Sequence, residues 1–583
     1  MQLPVWRRTA EKYMETEMSG TNSDTLVHRF VHWERVQPDT PYLTESMPDG
    51  QVVEYTWQEV GDQARRMAGY LQSLQLPPRS AISIVGKNSA HWIIADLAIW
   101  MAGHFSVPLY TTINADTAQY IFEHCDVRLL FVGKLDGKTD GWNEIRKAVP
   151  PHARLIGLPM SPVPEALQWD DIVASQAPLR DVHLPAPGEL ATIIYTSGTT
   201  GRPKGVLHSF GTIFAYAAQA GEFCGFTPAD RVLSYLPLAH TAERSFVESN
   251  SLCHGFQVFF NDSLATFVQD LHRARPTVFI SMPRLWTKFY QGVCAKLPAS
   301  QQALLETASP EAAVIKQQIL TMLGLDATRI AFTGSAPLPE EITNWYRMLG
   351  LELLDVYGMT ENFSYSHYSR PGLVRPGYCG QAMPGVECRI AGNGEILLKA
   401  PTMMLGYYRQ PDLTAQSMTE DGFFKTGDCG ELDELGRLKI TGRVKENFKT
   451  SKGKYVAPAP IENKLSHAKV EAVCATGPGL AQPFALLMLS AAARGELQGT
   501  PAYDALRAEL RGMLDKVNDT LEDHEKLAFA VVVADAWTSD NGLLTPTMKI
   551  RRGAIEKRYL PMAQAWAELG QPVIFETQSV KTQ

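Results

Sequence analysis

Short apolar runs separated by amphipathic stretches dominate the N-terminal two thirds of the chain. Thr56-Trp57-Gln58-Glu59 has the form of a capping box, and after it Val60, Ala64, Met67, Ala68 and Leu71 fall on one helical face. Buried-strand runs follow at 81–86 (AISIVG), 129–133 (LLFVG), 190–197 (LATIIYTS), 231–238 (RVLSYLPL), 277–281 (TVFIS) and 329–335 (RIAFTGS). Helical stretches separate most of them, and strands alternating with helices predict α/β layers with mostly parallel sheets. The texture changes near Cys388, where two apolar runs flank Asn393-Gly394, a hairpin signal. A second strand pair is expected around Leu435-Gly436, ending at 437–442. Beyond Arg443 the pattern is α+β, with apolar runs at 471–477, 483–490 and 529–535 and a polar helix between them. The chain is therefore expected to be α/β. A large N-terminal domain, residues 1–442, would comprise several subdomains with mostly parallel sheets plus a β-rich subdomain. A small α+β C-terminal domain would follow at 443–583.

Length fits this division, since 583 residues exceed one ordinary domain. The formal charge of 54 − 62 = −8 argues against a nucleic-acid partner. It leaves room for a phosphate-bearing ligand held by a few local lysines. Eight cysteines occur without a CxxC pair, which reads as free thiols rather than a disulfide framework or a zinc site. The stretch Ile93–Leu109 is broken by Asp96 and His104 and reads as core rather than a membrane span. The first twenty residues carry no apolar signal core, and the chain ends Lys-Thr-Gln rather than Ser-Lys-Leu. A cytoplasmic protein is expected, with peripheral membrane contact left open.

The densest chemistry lies in Tyr195-Thr-Ser-Gly-Thr-Thr-Gly-Arg-Pro-Lys-Gly205, directly after a predicted buried strand. Glycines let backbone N–H groups turn toward an anion, hydroxyls add donors, and Lys204 adds a compact charge. A loop wrapping a triphosphate is the physical reading. It is not a Walker A loop; the nearest approach to one, Gly133 to Thr139, has its glycines one residue too close and reads as a surface turn.

This segment resembles the phosphate loop of the adenylate-forming superfamily: acyl-CoA synthetases, luciferases and peptide-synthetase adenylation domains. The resemblance extends over roughly residues 25–560, with further motifs in the expected order. It is nearest to the long-chain fatty acyl-CoA synthetase branch. It implies nucleotide contacts at Thr196, Ser197, Gly198, Thr199, Thr200, Gly201 and Lys204, with Thr196 also near the metal. LPLAHTAER (236–244) is similar to the family's second core segment, and implies that His240 lies between the carboxylate and nucleotide sites; alone, it would read as a packed core histidine. Gly334-Ser335-Ala336 would border the adenine. In Tyr357-Gly358-Met359-Thr360-Glu361, the tyrosine would meet the purine, Thr360 the α-phosphate, and Glu361 Mg²⁺, a hard ion that takes oxygen ligands.

Asp421 to Asp428 and Gly436 to Lys445 are similar to the fatty acyl-CoA synthetase signature. Asp428 would accept from the ribose hydroxyls, and Arg443 would donate to ribose or phosphate. Lys445 aligns with the family's hinge position, which makes the C-terminal domain mobile. Glu446 and Asn447-Phe448 depart from the residues common among relatives. Gly453 would face the thiol tunnel; Lys449, Lys452 and Lys454 read either as contacts to coenzyme A phosphates or as a solvated basic loop. Leu544 to Lys549 resembles the catalytic-lysine motif, with Lys549 bridging the reacting oxygens. Lys557 and Arg551 read as surface charges. The resemblance implies an AMP-forming ligase using ATP, Mg²⁺ and coenzyme A to activate a medium-to-long-chain fatty acid. A carrier-protein thiol as acceptor, another carboxylic acid, a non-catalytic nucleotide-binding scaffold, and monomer or homodimer all remain open.

Overall fold

The structure, a computed structural model, describes residues 24–135, 141–196, 202–465, 467–497, 499–538, 541–545 and 549–579. Its central eight-stranded sheet runs Gly406–Tyr407, Lys204–Ser209, Leu190–Thr196, Phe105–Leu109, Ala81–Val85, Leu129–Val132, Arg154–Gly157, Leu167–Gln168. The middle of this sheet is parallel, with Ala81 opposite Phe105 and Ile82 opposite Leu129. At one end two pairs are antiparallel: Gly406–Tyr407 with Lys204–Ser209, and Lys204–Ser209 with Leu190–Thr196, so the glycine-rich segment joins the two strands of a hairpin. A five-stranded sheet, Val278–Ser281, Ile330–Gly334, Leu353–Tyr357, His367–Tyr368, Gln381–Ala382, lies in the same lobe.

The helical readings rest on local chemistry. Thr56 caps Trp57–Ser73 reciprocally: Glu59 N–H donates to Thr56 Oγ1 at 3.2 Å, and Thr56 N–H donates to Glu59 Oε2 at 2.8 Å. Ala90–Met101, the front of the apolar stretch at 93–109, is buried at every position, as a helix apolar all round must be. Its Asp96 survives there because Arg244 pairs with it; the guanidinium also lies 5.2 Å from the Trp92 ring centroid and 3.2 Å from Glu248. Arg244 opens a π-helical turn, Arg244–Ser249.

One predicted strand is shorter than the apolar run that suggested it. The stretch 231–238 is extended only over Arg231–Ser234. Beyond that, side chains take the backbone donors: Tyr235 N–H donates to Glu243 Oε1 at 3.0 Å, and Leu238 N–H to Asn88 Oδ1 at 3.0 Å. Side-chain competition for backbone groups thus ends the ladder.

The β-rich part pairs Glu387–Ile390, Glu395–Lys399, Phe424–Leu432 and Leu438–Arg443 antiparallel. After Arg443 come a small hairpin, Phe448–Lys449 with Tyr455–Val456, and a four-stranded sheet of Val470–Thr476, Phe484–Leu489, Ala530–Val532 and Val573–Phe575. The two hydrophobic clusters of this small lobe draw only on residues from Phe448 to Phe575. Among the described residues, no helix is long and apolar enough to cross a membrane.

Candidate functional site

Ser197, Gly198, Thr199, Thr200 and Gly201 lie outside the described residues, but both flanks of their loop are placed. Thr196 and Lys204 are register partners across the hairpin. The Lys204 ammonium lies 5.0 Å from the Tyr407 ring centroid, and Tyr407 O–H donates to Glu361 Oε1 at 2.8 Å. The other oxygen of Glu361 accepts no hydrogen bond among the described residues, which leaves it for a cation. Burial pushes His208 down to about 4, so its ring is neutral, and Nε2–H donates to Thr360 O at 2.7 Å. Lys204, Thr360 and Glu361 are thereby tied to one hairpin.

At the other end of the segment 357–361, Tyr357 O–H donates to Asp428 Oδ2 at 2.8 Å, and Arg443 Nε lies 3.0 Å from Asp428 Oδ1. Asp428 and Arg443 are direct partners across two antiparallel strands, so the sheet register sets their pairing. Burial and the Asp428 carboxylate hold the Tyr357 phenol well above its ordinary pKa, so it remains a donor. Two glycines permit the close packing here. A Cβ at Gly334 would stand 2.8 Å from Val356 Cγ2, and one at Gly358 2.5 Å from the Ser364 backbone. Ser335 follows in the left-handed region at φ 68° and, with Ala336, is exposed at the turn. Phe363 and Ser364 are also left-handed, at φ 51° and 62°. Such backbone outliers cluster at ligand sites.

The small lobe contributes Lys549 from a tight loop. Thr545 N–H donates to Lys549 O at 2.7 Å, and Lys549 N–H to Thr545 Oγ1 at 3.1 Å; Pro546 to Met548 lie outside the described residues. Desolvation in the cleft and the Arg443 charge hold the ammonium below its ordinary pKa, against the pull of Asp428. His240 feels Lys549 too: burial first, then that ammonium, push it down to about 4. Its Nδ1 accepts from Ala242 N–H at 3.1 Å, which leaves the proton of the neutral ring on Nε2. The groups 428, 443, 549 and 240 therefore share one electrostatic neighbourhood drawn from both lobes.

Gly453 is not part of it. It stands at φ 79° on the exposed turn of the hairpin 448–456, near Lys449, Lys452 and Lys454. Lys445 lies between two grips. On one side Val444 N–H donates to Gly427 O of the large lobe at 2.9 Å. On the other, Glu446 Oε2 lies 3.4 Å from Arg552 Nε, and Arg552 in turn bonds Glu462 at 2.7 Å and Ala475 O at 2.6 Å.

Three residues with a place here went unnoticed in the sequence. Tyr407 sits in an unremarkable Gly-Tyr-Tyr run. Arg552 is buried, although the charges beside it, Arg551 and Lys557, drew attention as surface groups. Asp355, in the strand Leu353–Tyr357, has its carboxyl pushed up to about 8 by burial; a lone acid in an apolar strand was the available signal. Among the described residues no group of three or more His, Cys, Asp or Glu gathers as a metal site. A magnesium ion shared with a nucleotide needs only one or two carboxylates, so Glu361 fits it.

A large α/β lobe carrying the glycine-rich hairpin thus meets a small α+β lobe carrying the Lys549 loop. Residues 30–408 match the AMP-binding enzyme family and residues 446–565 the AMP-binding enzyme C-terminal domain, so the chain belongs to the AMP-binding enzyme family. The peroxisomal long chain acyl-CoA synthetase 7 of Arabidopsis thaliana is 27% identical, over 92% of this chain and 87% of that protein. The long-chain-fatty-acid–CoA ligase FadD15 of Mycobacterium tuberculosis is 28% identical, over 93% and 96%. Among solved structures, the anthranilate CoA ligase AuaEII with anthranoyl-AMP shares the fold at TM-score 0.75 and 20% identity, covering 94% of this chain and 99% of that one. The adenylation domain of a carboxylic acid reductase from Segniliparus rugosus, with AMP and a co-purified carboxylic acid, does so at 0.76 and 22%, covering 97% and 96%.

Proposed function

We propose that the protein converts a medium-to-long-chain fatty acid to its acyl-adenylate at the expense of ATP and then passes the acyl group to coenzyme A. The observation that carries this is the bonded cluster of Tyr357, Asp428 and Arg443 in a chain whose residues 30–408 and 446–565 match the AMP-binding enzyme family. In the first half-reaction a carboxylate oxygen attacks the α-phosphorus, the bond to pyrophosphate breaks, and a mixed anhydride forms. Two anions must approach, and the Lys549 ammonium lowers that repulsion. The loop 196–201 with Lys204 holds phosphates, Thr360 meets the α-phosphate, and Glu361 with Thr196 holds Mg²⁺. Gly334, Ser335, Ala336, Tyr357 and Gly358 border the base, and Asp428 and Arg443 hold the ribose. Asp355, two residues before Tyr357 on the same strand, would offer a carboxyl oxygen to the exocyclic amine. His240, neutral, orients the acid.

In the second half-reaction the small lobe beyond Lys445 turns about that residue, removing Lys549 and bringing the Gly453 loop to the anhydride. A thiol sulfur then attacks the acyl carbon and AMP leaves. The chain length of the acid rests on the relatives' names and on the LPLAHTAER and LTPTMK forms.

The test is pyrophosphate release over acids of increasing chain length, with and without coenzyme A, followed by thioester detection. Release that peaks for fatty acids, and thioester only with coenzyme A, is the expected result. Thioester only on a carrier protein would replace the acceptor. No release with any acid would overturn the activity.

A further inference from the structure

The first residue of the glycine-rich segment, Tyr195, has no place in the chemistry above, yet it is one of the most constrained side chains near the cleft. It is 5% exposed, and its hydroxyl meets two partners from the end of the helix Ala115–Cys125. His124 Nδ1 lies 2.7 Å away and Cys125 Sγ 3.1 Å away. Burial pushes Cys125 up to about 12 and holds His124 below its ordinary value, so a thiol and a neutral imidazole face the phenol. One arrangement satisfies all three groups: the phenol O–H donates to Nδ1, and the thiol S–H donates to the phenol oxygen.

The same helix reaches the other flank of the loop. Tyr120, one turn before His124, stacks on it with centroids 5.2 Å apart, and the Arg202 guanidinium lies 5.1 Å from the Tyr120 centroid. Across the hairpin the Tyr195 ring lies against Gly205, where an added Cβ would stand 3.1 Å from Tyr195 Cζ and 2.9 Å from Ile193 Cγ2. Gly205 O accepts from Tyr408 N–H at 2.8 Å, and the Tyr408 ring returns to His124 at 5.2 Å. Both ends of the segment 197–201 are therefore fastened to one imidazole and its neighbours.

We propose that His124, acting through Tyr195, is a positioning residue for ATP binding, fixing the two strand ends that carry Thr196 and Lys204 so that both are set for the phosphates. Holding Thr196 and Lys204 in place in advance lowers the entropy lost when a phosphate binds between them. The role acts on nucleotide binding and leaves the acid site untouched. It rests on the reading that this loop binds ATP.

The test uses the full chain and calorimetric titration with ATP and magnesium, with the KM for a fatty acid read in parallel from pyrophosphate release. Tyr195→Phe keeps the ring and removes only the hydroxyl; His124→Ala removes its partner. Each is expected to weaken ATP binding about tenfold, the scale of one hydrogen bond between well-placed groups. The double variant should be no weaker than the worse single, because both remove one link. His124→Asn, which returns an acceptor near Nδ1, should recover most of the loss, and the KM for the acid should stay within about twofold. Unchanged ATP affinity in Tyr195→Phe, additive losses, or equal shifts for ATP and acid would overturn the brace. If His124→Ala does not fold, Tyr195→Phe alone decides. Wild-type protein that binds no ATP would sink the proposed function; normal wild-type binding with indifferent variants sinks only this inference.

Discussion

On the large-lobe wall of the cleft, Asp428 is satisfied before any ligand arrives: Tyr357 and Arg443 occupy one oxygen each, and the sheet register holds the backbones of Asp428 and Arg443 opposite each other. On the small-lobe wall, Lys549 is held by its own loop, through Thr545, and among the described residues no hydrogen bond joins it to Asp428 or Arg443, whose charges nonetheless act on it. Asp428 is fixed by short hydrogen bonds, whereas Lys549 approaches it by charge. Hydrogen bonds tie a group to one geometry, whereas a Coulombic approach can be undone by moving a lobe. The contrast suits a cleft in which the ribose-and-base wall serves both half-reactions and the lysine serves only the first.

The sharpest way to break this comparison is Lys549→Ala. Adenylation, measured as pyrophosphate release, should fall by about 10²–10³-fold, the usual loss when a preorganised charge is removed from a transition state. Thioester formation from pre-made acyl-adenylate should persist. Equal loss in both halves would mean that Lys549 belongs to the permanent wall.

Next in size is Lys445→Pro. The Lys445 N–H donates to no partner among the described residues, so proline removes no bond and acts by fixing φ. Adenylation should survive, while thioester formation should fall on the order of a hundredfold, as when reacting groups cannot reach position. Loss of both halves would place the pivot elsewhere.

A smaller effect comes from pH. The Lys549 ammonium is held below its ordinary pKa, so its charge is present below that lowered value and lost as pH rises through it. Pyrophosphate release should therefore show an alkaline limb at lower pH than an unperturbed lysine would give, dropping about tenfold per unit beyond it. Thioester formation from acyl-adenylate should lack that limb. His240, at about 4, should leave no acid limb near pH 6.5.

The parts of this cleft that could be read from the chain are those whose chemistry is local. Ala81–Val85 and Leu129–Val132 announce themselves by continuous apolar runs, and Trp57–Ser73 by its capping pair. The glycine-rich hairpin and the Tyr-Gly-Met-Thr-Glu turn carry their residue types in close succession. What stayed hidden depends on contacts far apart in sequence. Tyr407 gains its meaning only from Glu361 and Lys204, and Arg552 only from Glu446 and Glu462. The apolar run 231–238 misled because its period says nothing of Asn88 and Glu243, which take its backbone donors from elsewhere in the chain.

The least of the expected effects concerns a contact that bridges the walls outside the cleft. Arg284, from the large-lobe helix Pro283–Cys294, donates to Glu471 on the small-lobe strand Val470–Thr476. With Lys549 facing Asp428 this pair is closed, and a turn of the small lobe must open it. Arg284 is 63% exposed, so the pair is worth only about 0.5 kcal/mol, roughly a twofold bias. Arg284→Ala should therefore raise the single-turnover rate of thioester formation about twofold and leave adenylation nearly unchanged, with the gain shrinking at high salt as the wild-type pair is itself screened. Swapping the charges, Arg284→Glu with Glu471→Arg, should restore the wild-type balance. If Arg284→Ala instead slows both halves alike at low salt, the pair supports the fold of the small lobe and not its position. The second wall would then be held against the first by the field of Lys549 with no latch beside it.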